Sequence, residues 1–239
     1  MAKTGDRIRV ESKDGVHEGI VIPSPENQKN LLMLKLISGY NIGIKLDKSI
    51  KIVNDYFSGQ ALMPVLNGKK VKSFTCCAMF YDLHDPNSFV SDIKSILAED
   101  GVWCIQISYI VLMIKNLNFY DICNEHLEYY SLQTLSNLME RYGLEIFDAE
   151  TNAVNGGSLR AYVSHKNSKE KSENLKKLLQ VEEEMNLYES QTYTNFYKEM
   201  EDLATKVRSY LLNEIKKSNR VLGLGASTKG NVLLQFFGI

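Results

Sequence analysis

A histidine beside a glutamate is the first feature of this sequence that could do chemistry. Glu125 and His126 stand directly before the aromatic segment Leu127-Glu128-Tyr129-Tyr130-Ser131. Histidine accepts a proton near neutral pH, and an adjacent carboxylate can orient it or stabilise its charged form. The pair follows a predicted strand and precedes a predicted helix, where loops of open α/β sheets line the ligand crevice. We interpret His126 as a candidate general base; a purely structural histidine is the alternative.

A glycine-rich turn late in the sequence is a candidate anion site. It reads Gly223-Leu224-Gly225-Ala226-Ser227-Thr228-Lys229-Gly230, between a predicted strand at Arg220–Leu224 and a predicted helix. Free amides at a helix start can face a phosphate, and Lys229 adds charge. The turn has neither the P-loop pattern nor the third glycine of the dinucleotide fingerprint. A tight strand–helix turn that holds no ligand is the alternative.

Two further polar segments lie where a ligand could be held. The loop Asn155-Gly156-Gly157-Ser158, with Arg160 just beyond it, suits a polar ligand, and a plain turn between antiparallel strands is the alternative. The segment Phe80-Tyr81-Asp82-Leu83-His84-Asp85 comes at the carboxyl end of a predicted strand, again on the crevice side of a sheet. Asp85 also has a structural role, because aspartate is a good helix N-cap.

The elements that must position these residues begin with a β-rich segment. Residues 4–46 read as four short strands separated by turns, and Asp14-Gly15 is a hairpin signal. We therefore predict a small antiparallel barrel or sandwich for residues 1–53.

The next segment, residues 54–166, has the pattern of an α/β domain. Asp85 and Pro86 begin a helix as its N-cap and first residue, and Gly101 is predicted to end it. Apolar runs on either side of this helix suit buried parallel strands, and an antiparallel pair follows. The other predicted elements are strands at Val71–Met79 and Val102–Ser108, a helix at Ser131–Tyr142 that Ser131 caps and Gly143 ends, and strands at Leu144–Phe147 and Leu159–Val163.

The last two segments are helical and then mixed. Residues 167–218 carry two charged, amphipathic helical stretches, which favour a helical connector or hairpin over a partner-binding coiled coil. Residues 219–239 give one strand, the glycine-rich turn and the start of a helix, a single βα unit.

Composition excludes several classes of function. The 239 residues hold 28 Lys and Arg against 29 Asp and Glu, so there is no basic field for non-specific nucleic-acid binding. No apolar run reaches the roughly 18–20 residues of a membrane span, and no secretory signal is present. We expect a cytoplasmic protein with no nucleic-acid or membrane partner. The cysteines have no zinc spacing, and we expect no metal and buried, reduced thiols at Cys76, Cys77, Cys104 and Cys123.

Five motifs, in order along residues 54–239, resemble the sugar C-methyltransferase family, which methylates nucleotide-linked deoxysugars with S-adenosylmethionine. The resemblance implies a partial class I methyltransferase sheet of Rossmann-like type over residues 54–166. It also implies the start of a second Rossmann-like domain at residues 219–239. The matching stretches are residues 54–57, 77–83, 125–131, 154–160 and 225–231.

The same resemblance implies roles for individual residues. It places the general base on His126, with Glu125 beside it, although Asn124 stands where family members often carry histidine. S-adenosylmethionine would be the cofactor, contacted by Ala78, Met79, Phe80 and Asp82. The nucleotide sugar would be held by Asn155, Gly156, Gly157, Ser158, Arg160, Gly225, Ser227 and Lys229.

The sequence departs from the full family pattern in three respects. It has no cysteine-rich zinc module, and it lacks the glycine-rich loop and ribose-binding acid of the first half of a methyltransferase sheet. Only the first βα unit of the C-terminal domain is present. We therefore expect a fragment or fusion product that is inactive alone and binds the cofactor weakly or not at all. A protein that supplies the missing half is a candidate partner, beside the nucleotide-sugar substrate.

A second resemblance covers about the first fifty residues. Residues 5–10, 15–21 and 39–44 resemble the N-terminal β domain of the D-type chain of archaeal glutamyl-tRNA(Gln) amidotransferase, without its asparaginase-like catalytic domain. This resemblance implies no catalytic residue. It supports an alternative hypothesis, a non-catalytic binding or assembly module whose β domain docks on a partner.

Overall fold

The computed structural model describes residues 7–12, 15–22, 31–36, 41–45, 51–225 and 227–239. Asp14 and Ala226, both placed in turns by the sequence analysis, lie outside these residues.

The N-terminal strands form one antiparallel sheet, which confirms the predicted small β domain. Its strand order is β4-β3-β2-β1-β5. Ser12 pairs with Gly15 at the end of the antiparallel register that joins β1 to β2. The four strands predicted from the sequence are all present, and a two-residue strand is added. The strands are β1 (Arg7–Ser12), β2 (Gly15–Ile22), β3 (Leu31–Leu36), β4 (Asn41–Lys45) and β5 (Ile52–Val53).

A second sheet of four strands confirms the predicted α/β class. Its order is β6-β7-β9-β8, with β6 parallel to β7 and the other pairs antiparallel. In β7, Trp103, Ile105 and Ile107 are buried and alternate with half-buried polar residues, so one face of the sheet packs on the core. The strands are β6 (Val71–Cys77), β7 (Leu97–Ser108), β8 (Leu144–Asn152) and β9 (Ser158–His165).

Side-chain caps fix the starts of the helices that flank this sheet. Asp85 accepts a hydrogen bond from the Ser88 amide at 3.0 Å, and Pro86 is the first helical residue, as predicted. Ser131 caps the next long helix within a capping box. The helices are α1 (Gly59–Leu66), α2 (Pro86–Ile96), α3 (Ile110–Lys115), α4 (Leu132–Arg141), α5 (Glu173–Glu184), α6 (Ser190–Lys216) and α7 (Thr228–Phe237). Three 3₁₀ turns lie at Phe80–Asp82, Phe119–Asp121 and Val154–Gly156.

The predicted end of α2 at Gly101 is wrong. The helix ends at Ile96, and β7 begins at Leu97, which pairs with Val71. The register then shifts so that Val102 pairs with Ser73, which leaves Gly101 in a bulge. A Cβ at Gly101 would lie 2.9 Å from the Val71 carbonyl oxygen. This glycine therefore permits close approach of two strands and does not end a helix.

The predicted strand at Arg220–Leu224 is also wrong. These residues are irregular, and Leu222 and Leu224 are 79% and 106% exposed. Among the described residues no strand lies beside them, so their backbone groups have no ladder to join. The helix predicted after the turn is present as α7, and it packs on α6 and on Phe119.

The thiols are free, but burial is confirmed only for Cys76. Cys77 is exposed, and Cys104 and Cys123 are half-buried. The alternation of a strand explains Cys77 and Cys104, because both fall on the face of the sheet opposite the core. No described helix combines the length and the apolar character needed to cross a membrane.

Candidate active site

The loop that carries His126 lies between the 3₁₀ turn Phe119–Asp121 and α4. Its backbone is tied to the 3₁₀ turn Phe80–Asp82 that follows β6, because the Tyr81 carbonyl accepts hydrogen bonds from the amides of Leu127 and Glu128 at 2.9 and 3.0 Å. The rings of Tyr81 and His126 also lie against each other, with centroids 4.4 Å apart. The fold thus brings two separate candidate segments, residues 80–85 and 125–126, into contact.

His126 is half-buried, and its surroundings keep it neutral at neutral pH. Burial lowers the pKa of the imidazole below its ordinary value of 6.5, and the nearby Lys229 charge acts in the same direction. The Asp121 carboxylate, a hydrogen bond to the Asp121 backbone and Glu125 all oppose this effect without reversing it. A neutral imidazole is the form that a general base needs.

Glu125 contacts the start of α7 through its side chain. The Thr228 hydroxyl donates to Glu125 Oε1 at 3.0 Å. The pKa of this carboxyl lies below its usual range. The main cause is a hydrogen bond with the backbone of Glu125 itself, and the next is the hydrogen bond from the Thr228 hydroxyl. Glu125 is therefore an ionised, solvent-exposed neighbour of His126.

Asp121 is a site residue that the sequence analysis missed. Its side chain is 4% exposed and forms an ion pair with Lys229. Lys229 Nζ also lies 5.5 Å from the centroid of the Tyr120 ring. The sequence offers one weak signal for Asp121, an acid five positions before His126, and no motif marks it.

The glycine-rich loop joins the same region through a hydrogen-bonded chain. The Gly156 carbonyl accepts from the side-chain amides of Asn116 and Asn118 at 3.2 and 2.5 Å, and the Tyr120 hydroxyl donates to Asn118 Oδ1 at 2.8 Å. Gly156 has φ +86°, and a Cβ there would lie 2.7 Å from the Tyr120 hydroxyl oxygen. The loop is thus packed against the turn that carries Asp121.

The other predicted residues of this loop lie farther inside the protein. Asn155 is half-buried with a left-handed backbone, at φ +55°. Gly157 packs against Leu112, and a Cβ there would lie 2.9 Å from the Leu112 Cβ. Ser158 is 3% exposed, and its hydroxyl donates to the Val154 carbonyl at 2.8 Å.

Arg160 is not brought to the His126 cluster. Its guanidinium donates to Gln106 Oε1 at 2.8 and 3.2 Å and to Glu150 at 2.9 Å, across the half-exposed face of the sheet. The sequence analysis grouped Arg160 with the Gly156 loop because the two are close in sequence. Arg160 lies on β9, however, and this strand runs away from the loop.

The turn before α7 is shaped by its own hydrogen bonds. Ser227 is the N-cap, and its hydroxyl accepts from the Gly230 amide at 3.1 Å. Gly225 has φ +135° and no atom within 4 Å of a Cβ position. Lys229, predicted to face a phosphate, is the cation that pairs with Asp121.

The four predicted cofactor contacts follow β6. Ala78 has φ +52°, and its amide donates to the Gln106 carbonyl at 2.9 Å. Phe80 is fully buried among Trp103, Phe89 and Tyr130, so it is a core residue. Met79 and Asp82 are half-buried.

These residues would supply only one wall of an S-adenosylmethionine site. Nucleotide-type ligands of open α/β sheets lie across the carboxyl ends of several parallel strands. Only β6 and β7 are parallel, and β6 is an edge beyond which no described strand continues this sheet. The described residues therefore fit the cofactor in part. They also include no cluster of three or more side chains that could hold a metal ion.

Comparison with known proteins confirms both resemblances. Residues 153–239 match the family model described as the C-methyltransferase C-terminal domain, and residues 2–53 match the one described as the GatD N-terminal domain. The α/β part of the chain is thus similar to C-methyltransferases, and its N-terminal part to the GatD chain of the glutamyl-tRNA(Gln) amidotransferase.

Individual relatives give the same division. The chain is 30% identical over 165 residues to the C-methyltransferase NovU of Streptomyces niveus, which covers 69% of this chain and 39% of that protein. It is 49% identical over 43 residues to the GatD chain of the glutamyl-tRNA(Gln) amidotransferase of Halobacterium salinarum, covering 18% of this chain and 10% of that protein. The chain therefore spans about two fifths of one relative and a tenth of the other.

One solved structure illustrates how distant the structural similarities are. It is the structure of the mitomycin 7-O-methyltransferase MmcR, and it superposes with a TM-score of 0.33 at 11% identity over 45% of this chain and 39% of that one.

Proposed function

We propose that the chain carries part of the active site of a C-methyltransferase that acts on a nucleotide-linked keto-deoxysugar, with His126 as general base. One observation carries the proposal: Tyr81, the Glu125–His126 pair and the first turn of α7 meet at one loop. These residues are far apart in the sequence, and their motifs match one family. The similarity of the α/β part to C-methyltransferases supports the same reaction type.

The proposed chemistry starts with removal of a proton from the carbon next to the keto group. His126 takes this proton, and the electron pair of the C–H bond moves onto the keto oxygen as an enolate. S-adenosylmethionine, when bound, would supply the methyl group to the enolate carbon: its S–CH₃ bond would break as the carbon–carbon bond forms, and S-adenosylhomocysteine, a neutral thioether, would be left. The lowered pKa of His126 supports its part, because the imidazole is unprotonated at neutral pH.

Contacts to the sugar nucleotide are assigned to the two glycine-containing loops. Gly156, which follows Asn155, is connected to the turn Phe119–Asp121 through Asn118 and Tyr120. Gly225, Ser227 and Lys229 would face the diphosphate from the start of α7. Since Lys229 is already paired with Asp121, its charge would be shared between that carboxylate and the substrate.

The proposal includes a second polypeptide segment that completes the cofactor site, because the described residues form one wall of it. We also propose that the protein is cytoplasmic. The four free cysteines support a reducing compartment, where thiols stay reduced.

The expected inactivity of the chain alone concerns methyl transfer, which needs the completed cofactor site. The first step needs only His126 and the sugar nucleotide, so proton exchange tests it without the methyl donor. The chain is incubated in D₂O with a dTDP-linked keto-deoxysugar, and deuterium next to the keto group is followed by NMR. We expect exchange above the buffer rate with the keto sugar, and none with the same sugar nucleotide reduced at the keto carbon. Exchange equal to buffer alone would remove the proposed reaction from this chain.

The second candidate is a non-catalytic binding or assembly module. The match of residues 2–53 to the GatD N-terminal domain favours it, since that match brings no catalytic residue. The same measurement separates the two candidates, because such a module would bind a partner and leave the sugar proton unexchanged.

A further inference from the structure

Tyr81 lies where the hydrophobic core meets the loop that carries His126. Its 3₁₀ turn, Phe80–Asp82, is anchored because Phe80 is fully buried, with its ring 5.7 Å from Trp103 and 5.8 Å from Phe89, centroid to centroid. Tyr81 is itself buried, at 6% exposure. A side chain that is locked by such packing offers a rigid surface to the group beside it.

The loop of residues 122–129, here called the His126 loop, has little packing of its own. Ile122, Leu127 and Tyr129 are apolar or aromatic, yet they are 46%, 44% and 38% exposed. A segment with few buried apolar contacts opens easily unless other groups hold it. The position of this loop relative to the core must therefore come from contacts outside the loop.

Tyr81 supplies such contacts to the backbone and to the side chain of the base. Its carbonyl accepts hydrogen bonds from the amides of Leu127 and Glu128 at 2.9 and 3.0 Å, directly after His126. Its ring lies against the imidazole, with centroids 4.4 Å apart and planes at 55°. At this separation the two rings are in van der Waals contact. Burial raises the pKa of the Tyr81 phenol, so the ring carries no charge at neutral pH.

We propose that Tyr81 is a positioning residue for the His126 base, and that its ring, not its hydroxyl, orients the imidazole. The ring restricts rotation of the imidazole, so the basic nitrogen has one preferred direction before the sugar nucleotide binds. The catalytic meaning of this assignment rests on the proposed function. The contact between the two rings does not, because it is a property of the protein without substrate.

NMR of the full chain tests the ring contact without substrate. An aromatic ring displaces the resonances of nearby protons, so the His126 Hδ2 and Hε1 signals should lie away from those of histidine in a short peptide. His126→Gln identifies these signals among the four histidines. A nuclear Overhauser effect between the ring protons of Tyr81 and those of His126 should also be present.

Two variants separate the ring of Tyr81 from its hydroxyl. Tyr81→Phe keeps the ring and should leave the His126 signals nearly in place, whereas Tyr81→Leu removes the ring and should move them toward the peptide values. Tyr142→Leu is the matched control. Tyr142 is also half-buried or better and hydrogen-bonded, its hydroxyl donating to Asn87 Oδ1 at 3.1 Å, but it lies at the opposite end of α4 from the His126 loop. This control should leave the His126 signals unchanged.

The assignment would be overturned by a missing Overhauser effect in the unaltered chain, or by unchanged His126 signals in Tyr81→Leu. If Tyr81→Leu does not fold, the Overhauser effect decides, because that measurement needs no variant. A chain that is inactive in proton exchange would still give these spectra. Failure of the proposed function is therefore distinguishable from failure of this assignment.

Proton exchange next to the keto group adds a catalytic readout where it is observed. Tyr81→Leu should lower the exchange rate at saturating sugar nucleotide by roughly 10–100-fold, the usual cost of misplacing a reacting group, with little change in the half-saturating concentration. Tyr81→Phe should keep a rate close to that of the unaltered chain. An equal loss in both variants would contradict the role of the ring, and an unchanged rate in a destabilised Tyr81→Leu would show a structural role alone.

Discussion

At the scale of single residues, the His126 imidazole and the Tyr81 ring beside it decide whether His126 can act as a base. Burial keeps the imidazole neutral, and Tyr81 packs against its ring. Gly156 matters for a different reason: it lets the 154–157 loop approach Asn118 and Tyr120 closely. The approach connects the proposed sugar-binding loop to the turn that carries Asp121.

Replacing Gly156 with alanine should therefore destabilise the protein. A Cβ would lie 2.7 Å from the Tyr120 hydroxyl oxygen and 2.8 Å from Asn118 Nδ2, and φ is +86°. We expect a loss of about 2–4 kcal/mol in the free energy of unfolding, from the left-handed backbone plus overpacking. Urea denaturation measures it.

Gly68→Ala is the matched control for this change. Gly68 also has positive φ, at +76°, but no atom lies within 4 Å of its Cβ position. It should lose only the backbone part, about 1–2 kcal/mol. Equal losses at Gly156 and Gly68 would show that the close approach to Tyr120 has no energetic weight.

Sequence reasoning reached His126, Glu125 and Lys229 because each belongs to a motif of recognisable type. It missed Asp121, whose role depends on contacts with α7, more than a hundred positions away. It also grouped Arg160 with the Gly156 loop by proximity in sequence, whereas the guanidinium is held on the sheet face by Gln106 and Glu150. Residues that act through long-range pairing leave no local pattern to read.

At the scale of elements, local signals predicted the helix starts well and one helix end badly. Asp85 and Ser131 are caps by virtue of their own side chains, and both were predicted. Glycine is common at helix ends, but Gly101 lies in β7, where the absence of a side chain permits close contact with β6. The prediction of a strand at Arg220–Leu224 was wrong for a related reason, because a strand forms only beside a partner strand.

The element that holds the start of α4 was not visible in the sequence. Glu182 of α5 is buried and accepts hydrogen bonds from the Tyr109 hydroxyl and from the amides of Leu132 and Gln133. A carboxylate at a helix N-terminus is favoured by the helix dipole. Glu182 thereby links α5 to the helix that follows the His126 loop.

Glu182→Gln should destabilise the protein while keeping the side-chain volume. The amide loses the charge and one acceptor, so we expect about 1.5–3 kcal/mol less stability in thermal or urea unfolding. Glu183→Gln, at the exposed neighbouring position, should change stability by no more than about 0.5 kcal/mol. Similar effects at the two positions would contradict the role given to Glu182.

At the scale of the whole molecule, two parts of the chain are similar to two kinds of protein. Its α/β part is similar to C-methyltransferases, and its N-terminal sheet to the GatD chain of the amidotransferase. The class of each part could be predicted from the sequence, because motifs of only a few residues are enough to recognise a resemblance to a family. The division into residues 1–53, 54–166, 167–218 and 219–239 stays a prediction.

Cofactor binding is the property that this organisation affects most. Because residues 78–82 form one wall of the site, a protein of these 239 residues should show weak or no binding of S-adenosylmethionine. Isothermal titration calorimetry, with S-adenosylhomocysteine as a second ligand, measures this directly. Micromolar affinity for either ligand would mean that the loop after β6 is sufficient.

The base assigned to His126 is the central claim, and deuterium exchange next to the keto group of the sugar nucleotide tests it most directly. His126→Gln should lower the exchange rate by roughly 10²–10⁴-fold, the usual contribution of a general base. His84→Gln, at an exposed position, should leave the rate unchanged. In the unaltered chain the rate should rise with pH toward a plateau, with the midpoint of the rise below pH 6.5, because a base works when unprotonated and burial lowers the pKa of His126 from that value. Equal rates for the unaltered chain and His126→Gln would contradict the account.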